Sequence, residues 1–386
     1  MHGPQSPWDP FDDIASPPVD PSLPEIVFIG GFLGLDLVRP DGVRVWLTPD
    51  SFILRDVARA LTISPGHDSG LVPGGLNRVV YGDIVRALRR AGFRVHALDF
   101  DFRQSVLASA ADLASALVAL GAGRRFVLVS HSMGALISAV YPYVDEAWRT
   151  RIERAIFLGG PLAGTFEVVE AALGSHPIIG RLSALSLRDD PADFAACMRT
   201  WPGMYDMLPD PLMFANGENA YHAHNWPPGF APEPALLHMA RETRRLVQTS
   251  PLFTIPCAQL LSVRYATVDG YAPGPVAPGP RLSPGDGTVS ARTASFGGVP
   301  VYQVDSPHTL IPVDPKAIEG VIDLARTGHT RLPLVTADQL VGPLSMRDPT
   351  LEEITGAWAR ARMSDLVRGE FPLQDLCWLL APKEWC

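Results

Sequence analysis

The chain has 386 residues, of which 47% are hydrophobic and 19% are charged. This composition excludes an intrinsically disordered chain and is sufficient for one large core or two modest ones. The formal net charge is −9, and the sequence has no basic stripe or arm, which argues against nucleic acid as a partner.

Residues 1–24 are rich in proline and lack periodicity, which predicts an extended N-terminal arm. The arm has neither a cationic start nor an apolar run, so we do not expect it to be a secretory signal. No apolar run in the sequence is long enough to span a bilayer. The default prediction is therefore the cytoplasm, and secretion or delivery as an effector stays open.

The first buried strand is predicted at residues 26–29, where four apolar residues end in the glycine-rich stretch IGGFLG, which begins at residue 29. A small extra strand is predicted at residues 43–47. Residues 48–78 are mixed in character, and proline–glycine pairs predict loops at 65–66 and 73–75.

Helical and strand patterns then alternate along the chain. Helices are predicted at residues 81–92, 106–120 and 133–144, and strands at 93–101, 124–130 and 152–161. Such alternation is typical of an α/β fold with a doubly wound, mostly parallel sheet. We assign this core to residues 25–164 and 256–329.

The alternation breaks at residues 165–255, a stretch rich in tryptophan and proline that predicts a cap inserted over the sheet. It resumes with a strand at 259–268, a proline–glycine loop, a strand near 299–306 and a helix at 314–326. Residues 330–386 form a predicted C-terminal appendage with one helix near 351–366. The oligomeric state is left open.

A candidate nucleophile lies in the stretch SHSMG, whose central residue is Ser132. The pattern nearly matches the G-x-S-x-G nucleophile elbow, in which a serine lies on a sharp turn between a strand and a helix. An apolar strand precedes Ser132 and the small residue Gly134 follows it. Ser130 stands where the motif has glycine, and as a small residue it fits the crowded turn while adding strain. The alternative is an ordinary serine in a small-residue turn.

A serine nucleophile needs a base, and the base needs an orienting acid, in the chain order serine, acid, histidine in this fold. Asp286 follows the predicted strand 259–268 and His308 follows the strand near 299–306, so both are expected at the carboxyl edge of the sheet. Asp269 is the alternative acid. His131 is a poor candidate base, because the direct neighbour of Ser132 is expected to point away from the elbow.

An oxyanion hole requires two backbone N–H groups. One is expected from Met133, directly after the nucleophile, and the other from Phe32 in IGGFLG, whose glycines permit close approach of the backbone. The alternative for IGGFLG is a plain strand-to-loop turn.

The sequence predicts neither a metal site nor a cofactor. His222 and His224 form an HAH pair without an apparent third ligand, and the four cysteines lack CxxC spacing. Cys377 and Cys386 could close a small loop, but free thiols are the expectation for a cytoplasmic chain.

Five segments together resemble the lecithin:cholesterol acyltransferase-like branch of the α/β-hydrolases, which includes phospholipases. FIGGFLG is similar to the family's oxyanion loop, with Gly30 in place of a proline, and VRVWL resembles the strand and tryptophan before its lid. ALDFDFRQS is similar to its Y-D-W-R segment, SHSMGAL to its A-H-S-[LM]-G elbow, and GDGTVS to its acid loop. No cysteine pair brackets Trp46, so the family's lid disulfide is absent.

The resemblance implies an α/β-hydrolase that acts on lipid-like carboxylic esters through an acyl-enzyme. It implies Ser132, Asp286 and His308 as the triad and the amides of Phe32 and Met133 as oxyanion donors. We further expect a lid-like loop at 43–78, and Gly31, Leu33 and Trp46 in the substrate site. The expected partner is a small-molecule or lipid ester, with transient contact to a membrane surface possible. Two alternatives stay open, which are a peptide or thioester hydrolase or macrocyclase with the same triad, and a catalytically silent scaffold used for binding.

Overall fold

The computed structural model describes residues 18–339, except for residues 47, 55, 64–69, 215–219, 272–279, 297 and 337. Most of the predicted N-terminal arm and of the C-terminal appendage lies outside the described residues. The predicted helix near 351–366 and the pair Cys377 and Cys386 lie entirely outside them.

The described residues form eleven strands, six of which make one parallel sheet. The strands are β1 (Glu25–Ile29), β2 (Leu35–Val38), β3 (Arg44–Trp46), β4 (Val72–Leu76), β5 (Val95–Ala97), β6 (Phe126–His131), β7 (Ile152–Leu158), β8 (Cys257–Leu261), β9 (Tyr265–Tyr271), β10 (Pro280–Gly285) and β11 (Val301–Gln303). The main sheet has the order β11-β8-β7-β6-β1-β5, and all of its pairs are parallel. The predicted α/β class is confirmed.

The order in which the chain adds strands to the sheet reverses between β1 and β6. The chain runs from β1 outward to β5, returns to the other side of β1 as β6, and continues through β7 and β8 to β11. In open α/β sheets, ligands bind outside the carboxyl ends of the strands at such a switch point. Because Ile29 pairs with Ser130, the loops that follow β1 and β6 leave the sheet side by side.

The helices fill the connections between strands. They are α1 (Pro49–Leu54), α2 (Val57–Leu61), α3 (Arg78–Arg90), α4 (Val106–Leu120), α5 (Gly134–Val140), α6 (Trp148–Arg151), α7 (Glu167–Leu173), α8 (Pro177–Leu185), α9 (Pro191–Met198), α10 (Pro202–Asp206), α11 (Pro234–Gln248), α12 (Ala291–Ala294) and α13 (Pro315–Thr327). None of the helices in the described part of the chain has the length and apolar character that a membrane crossing demands.

Helices cover both faces of the sheet. All six residues of β6 are buried, which requires packing on each side of this central strand. One layer contains α5, which packs on β6 and β7 and against α4 and α11, and the other contains α3 and α13. The predicted doubly wound arrangement is thus observed.

Helix α3 presents an amphipathic surface to the core. Asn77 caps its start, and the Asn77 side chain accepts a hydrogen bond of 2.9 Å from the Val79 amide. Its buried face includes Tyr81, Ile84 and Leu88, at the spacing of an amphipathic helix. Tyr81 is the polar member of this face, and its hydroxyl group therefore needs a partner inside the protein.

Two sequence predictions need correction. The stretch 73–75, predicted as a loop, belongs to β4, which lies at the edge of a small antiparallel sheet of order β3-β2-β4. An edge strand tolerates proline because one of its sides lacks ladder hydrogen bonds. The strand predicted at 259–268 is two strands, and β9 leaves the main sheet to pair with β10. Asp286 therefore follows a hairpin rather than a strand of the main sheet.

Residues 165–255, predicted as a cap, contain the helices from α7 to α11 in their described part. The proposed domain boundaries themselves stay predictions.

Within this region, the Glu167 carboxylate forms an ion pair with His176, and Glu170 lies nearby on α7. Burial, followed by the charge of Glu167, raises the pKa of Glu170 from 4.5 to about 7.

Replacing Glu170 by glutamine is expected to stabilise the protein at alkaline pH. A carboxyl group whose pKa is raised by folding stabilises the protein below its unfolded pKa, and that contribution is lost as the pH rises through the folded pKa. The change in pKa from 4.5 to about 7 corresponds to about 3 kcal/mol. Because Glu170 is only partly buried, solvent screening should reduce the gain of Glu170→Gln over wild type to about 1–2 kcal/mol between pH 4.5 and pH 8, or a few degrees in Tm. Thermal denaturation across this range measures the gain. Glu319→Gln, at an exposed position, is the control, and a gain independent of pH would contradict the assignment.

Candidate active site

Ser132 lies in the turn between β6 and α5, where the backbone is forced into an unusual conformation. Its φ of 52° is in the left-handed region, which a residue with a side chain seldom adopts. The Ser132 amide donates to the Leu158 carbonyl at the end of β7, at 3.0 Å. Ser132 is only 4% exposed, so the turn holds a strained serine at the buried carboxyl edge of the sheet.

Ser130, the residue that departs from the elbow motif, is part of β6. It is completely buried, and its hydroxyl group forms a hydrogen bond of 2.7 Å with the hydroxyl group of Ser138 on α5. Ser138 therefore satisfies the one polar group that a serine adds over a glycine here. The unusual φ is found at Ser132 and not at Ser130.

His308 and Asp286 form a buried pair. The Nδ1 atom of His308 lies 2.8 Å from Oδ2 of Asp286, and the side chains are 2% and 0% exposed. The backbone amide of His308 also donates to the Asp286 carbonyl at 2.8 Å. The Asp286 Oδ1 atom accepts from the amides of Thr288 and Val289. Asp286 is thus held as an acceptor for an Nδ1–H group.

The other ring nitrogen of His308, Nε2, is buried and has no hydrogen-bond partner in the described part of the chain. Neighbouring backbone places this ring near the elbow. A Cβ atom added to Gly159, directly after the Leu158 that holds Ser132, would lie 2.7 Å from His308 Nδ1 and 2.8 Å from Asp286 Oδ2. A side chain at position 159 would therefore collide with the pair.

The alternative acid, Asp269, is engaged elsewhere. Its Oδ1 atom accepts a hydrogen bond from the Ser290 hydroxyl group at 2.8 Å, and its Oδ2 atom pairs with Arg292 at 2.9 Å. The geometry therefore favours Asp286 over Asp269 as the partner of His308.

The loop after β1 contains the second unusual residue. Leu33 has a φ of 64°, and it and Ser132 are the two non-glycine residues with positive φ in the described part of the chain. The indole N–H of Trp46 donates to the Leu33 carbonyl at 2.9 Å, which stabilises the strained loop. Gly31 faces Ser132, because a Cβ atom at Gly31 would lie 2.7 Å from the Ser132 Cβ.

Two backbone amides lie beside these strained residues without a hydrogen-bond acceptor among the described residues. Among the described residues, neither the Phe32 amide nor the Met133 amide donates a hydrogen bond to a protein group. Unpaired amides are rare inside proteins. Phe32 precedes Leu33 and Met133 follows Ser132, and their role as donors to a shared oxyanion stays a prediction.

The walls around the loop are aromatic. The ring of Phe32 contacts Phe102 and Trp201 at centroid distances of 5.7 and 5.8 Å, and Trp46 contacts Phe102 at 5.9 Å. Leu33 is 2% exposed and Trp46 is fully buried. The buried Trp46 supports the loop through its hydrogen bond to Leu33. Contact of Gly31, Leu33 and Trp46 with a substrate stays a prediction.

Sequence reasoning missed a buried polar cluster beside the elbow. The hydroxyl group of Tyr81 on α3 contacts the ring of His131, the direct neighbour of Ser132. The available signals were a histidine at the end of the apolar strand FVLVSH and a tyrosine on the buried face of α3. Both needed a partner that local sequence patterns do not identify.

No group of three potential metal ligands occurs within the described ranges. His222 and His224 are exposed, and their rings stack at a centroid distance of 5.4 Å. Cys197 and Cys257 are free thiols, and burial raises the pKa of each to about 12, which makes them poor nucleophiles.

Residues 71–231 match the family model of the lecithin:cholesterol acyltransferases. This segment contains the elbow and the predicted cap as far as residue 231. The matched segment is less than half of the chain, and over it the chain is similar to these acyltransferases. No curated protein sequence matches the chain.

Several solved structures are similar to this chain at low identity. The mature lipase BlEst2 of Bacillus licheniformis is 15% identical, over 81% of this chain and 96% of its own, with a TM-score of 0.44. A chain of the Tle4–Tli4 complex is 12% identical, over 88% and 90% of the two chains, with a TM-score of 0.48. The carboxylesterase CesB of Bacillus subtilis is 10% identical, over 81% and 86%, with a TM-score of 0.38.

Proposed function

We propose that this α/β-hydrolase is a serine esterase or acyltransferase that acts on lipid-like carboxylic esters. One observation supports the proposal above the others. The two non-glycine residues with positive φ in the described part of the chain, Leu33 and Ser132, lie on the two loops at the switch point of the sheet. Backbone strain of this kind costs about 1–3 kcal/mol and clusters at functional sites.

In the proposed reaction, Ser132 Oγ attacks the ester carbonyl carbon while its proton passes to Nε2 of His308. Asp286 accepts the Nδ1–H group of His308, which fixes the tautomer and stabilises the imidazolium ion. The carbonyl oxygen becomes an oxyanion and accepts hydrogen bonds from the amides of Phe32 and Met133. Each such donor is commonly worth about 3 kcal/mol in the transition state.

Collapse of the tetrahedral intermediate breaks the carbon–oxygen bond to the alcohol. His308 returns its proton to that alcohol as it leaves, and Ser132 holds the acyl group as an ester. Water, or a second alcohol, then gives a proton to His308 and attacks the acyl carbon. Release of the acid or of the new ester restores the Ser132 hydroxyl group.

The surroundings of the site support an apolar acyl group. Phe32, Phe102 and Trp201 form an aromatic cluster beside the proposed oxyanion hole, and apolar walls with a few placed polar groups are typical of lipid and drug-sized ligand sites. A lipid ester is therefore the proposed substrate and partner, reached by transient contact with a membrane surface. The site residues supply every proton transfer, and the proposal includes no cofactor.

Labelling with an alkyl fluorophosphonate tests the proposal directly. We expect a covalent adduct on the Ser132 peptide, found by mass spectrometry, in the folded protein and not after heat denaturation. Turnover of p-nitrophenyl esters of graded chain length should then rise with an apolar acyl chain. Absence of labelling would favour the silent scaffold, and preferential cleavage of peptides or thioesters would contradict the lipid substrate class.

A further inference from the structure

His131 is a buried histidine beside the nucleophile that the proposed reaction does not use. It is 0% exposed, and both of its ring nitrogens have partners. Nδ1 lies 3.0 Å from the Tyr81 hydroxyl group, and Nε2 lies 3.2 Å from the backbone carbonyl oxygen of His308. The rings of His131 and His308 lie 4.8 Å apart between centroids. His131 therefore links β6 to α3 through Tyr81 and to the segment after β11 through His308, and these segments are far apart in sequence.

The direction of each hydrogen bond follows from the chemistry of the partners. The His308 carbonyl can only accept, so His131 Nε2 carries the hydrogen. Burial and then the nearby His308 hold the pKa of His131 well below its ordinary value, so the ring is neutral and Nδ1 accepts from the Tyr81 O–H group. The Tyr81 oxygen in turn accepts from the Gly31 amide at 2.7 Å.

These hydrogen bonds form a continuous network from Gly31 through Tyr81 and His131 to His308. Gly31 is the residue before the proposed oxyanion donor Phe32. At the other end, the His308 amide is bound to the Asp286 carbonyl at 2.8 Å, so the carbonyl and amide of His308 are both held. This hydrogen-bond network therefore connects the loop after β1, which contains Phe32 and is called the oxyanion loop, to the backbone of His308, the proposed base.

We infer that His131 is a positioning residue, which together with Tyr81 sets the distance between the oxyanion loop and His308. The inference rests on the proposed function. Catalysis requires the oxyanion donors and the base to fit one transition state, and a misplacement of about 1 Å can cost about 100-fold in rate. Loss of the connection should therefore lower kcat and leave KM nearly unchanged.

Tyr81→Phe removes one oxygen atom from this connection and keeps the aromatic ring that packs on Phe28. We expect kcat to fall by about 10- to 100-fold, with KM within about threefold. Rates are normalised to the concentration of sites that a fluorophosphonate can titrate, so loss of folded protein does not count. Tyr205→Phe is the matched control, because the buried Tyr205 hydroxyl group has no partner among the described residues.

Variants of His131 provide a rescue test. A glutamine amide offers an N–H group and an acceptor oxygen at a separation close to that of the two ring nitrogens, whereas leucine offers neither. We expect His131→Gln to retain more of the titrated kcat than His131→Leu. Titrated kcat within about twofold of wild type in both Tyr81→Phe and His131→Leu would overturn the inference.

Nitrogen NMR of His131 in the Ser132→Ala protein tests the connection without any need for activity. The expected signature is a neutral ring with hydrogen on Nε2 from about pH 6 to pH 8. A ring that is protonated in this range, or that carries its hydrogen on Nδ1, would contradict the proposed hydrogen-bond network. If the wild-type protein is neither labelled nor active, the proposed function fails. The NMR measurement still tests the hydrogen-bond network in that case, because it does not depend on activity.

Discussion

Replacing Ser132 by alanine is expected to lower ester turnover by at least about 10⁴-fold, because the proposed acyl-enzyme forms on the Ser132 hydroxyl group. Replacement by glycine should cause the same loss. Since Ser132 has a φ of 52°, Ser132→Gly should also raise the free energy of unfolding by about 1 kcal/mol over Ser132→Ala. Steady-state kinetics and denaturant unfolding measure the two effects.

Ser130→Ala is the matched control for this experiment. It removes a hydroxyl group from the same strand and breaks a buried hydrogen bond with Ser138, which should cost about 1 kcal/mol of stability. We expect its activity to stay within about tenfold of wild type. Wild-type turnover in folded Ser132→Ala would exclude Ser132 as the nucleophile.

Replacing Asp286 by asparagine is the second change with a large expected effect, about 10⁴-fold in kcat. The asparagine oxygen can still accept from the amides of Thr288 and Val289, as Oδ1 does now. The amide nitrogen would then face His308 Nδ1 and donate to it. That arrangement leaves the hydrogen on Nε2, so His308 can no longer take the proton of Ser132.

Asp269→Asn is the control for the choice of acid. Asp269 binds Ser290 and Arg292, so the change should lower stability more than activity. We expect kcat per titrated site within about tenfold of wild type for Asp269→Asn. If Asp269→Asn lost more activity than Asp286→Asn, the acid would be assigned wrongly.

The central part of the fold could be predicted from the sequence because its signals are local. An apolar run that ends in small residues predicts β6 and its turn, and Gly92 marks the end of α3, although the start of this helix lies three residues before the predicted one. The order of elements then predicts a parallel sheet, and SHSMG together with GDGTV predicts which residues belong to the site.

The path of the chain to Asp286 could not be predicted in this way. The stretch 259–268 is apolar enough for one strand, and only its pairing with β10 shows that β9 leaves the sheet. The contact of Tyr81 with His131 joins residues 50 positions apart, and it follows from tertiary packing rather than from any spacing along the chain. Both features depend on partners that lie far away in sequence.

The glycines around the site have a consequence for sequence change. A single methyl group at Gly31 would overlap Ser132, and one at Gly159 would overlap both His308 and Asp286. Neither glycine has a side chain that could take part in a reaction. A saturation mutagenesis screen for activity should nevertheless find both positions as intolerant as the proposed catalytic residues, even toward alanine. The proposed site therefore depends on space that must stay empty as much as on the side chains around it.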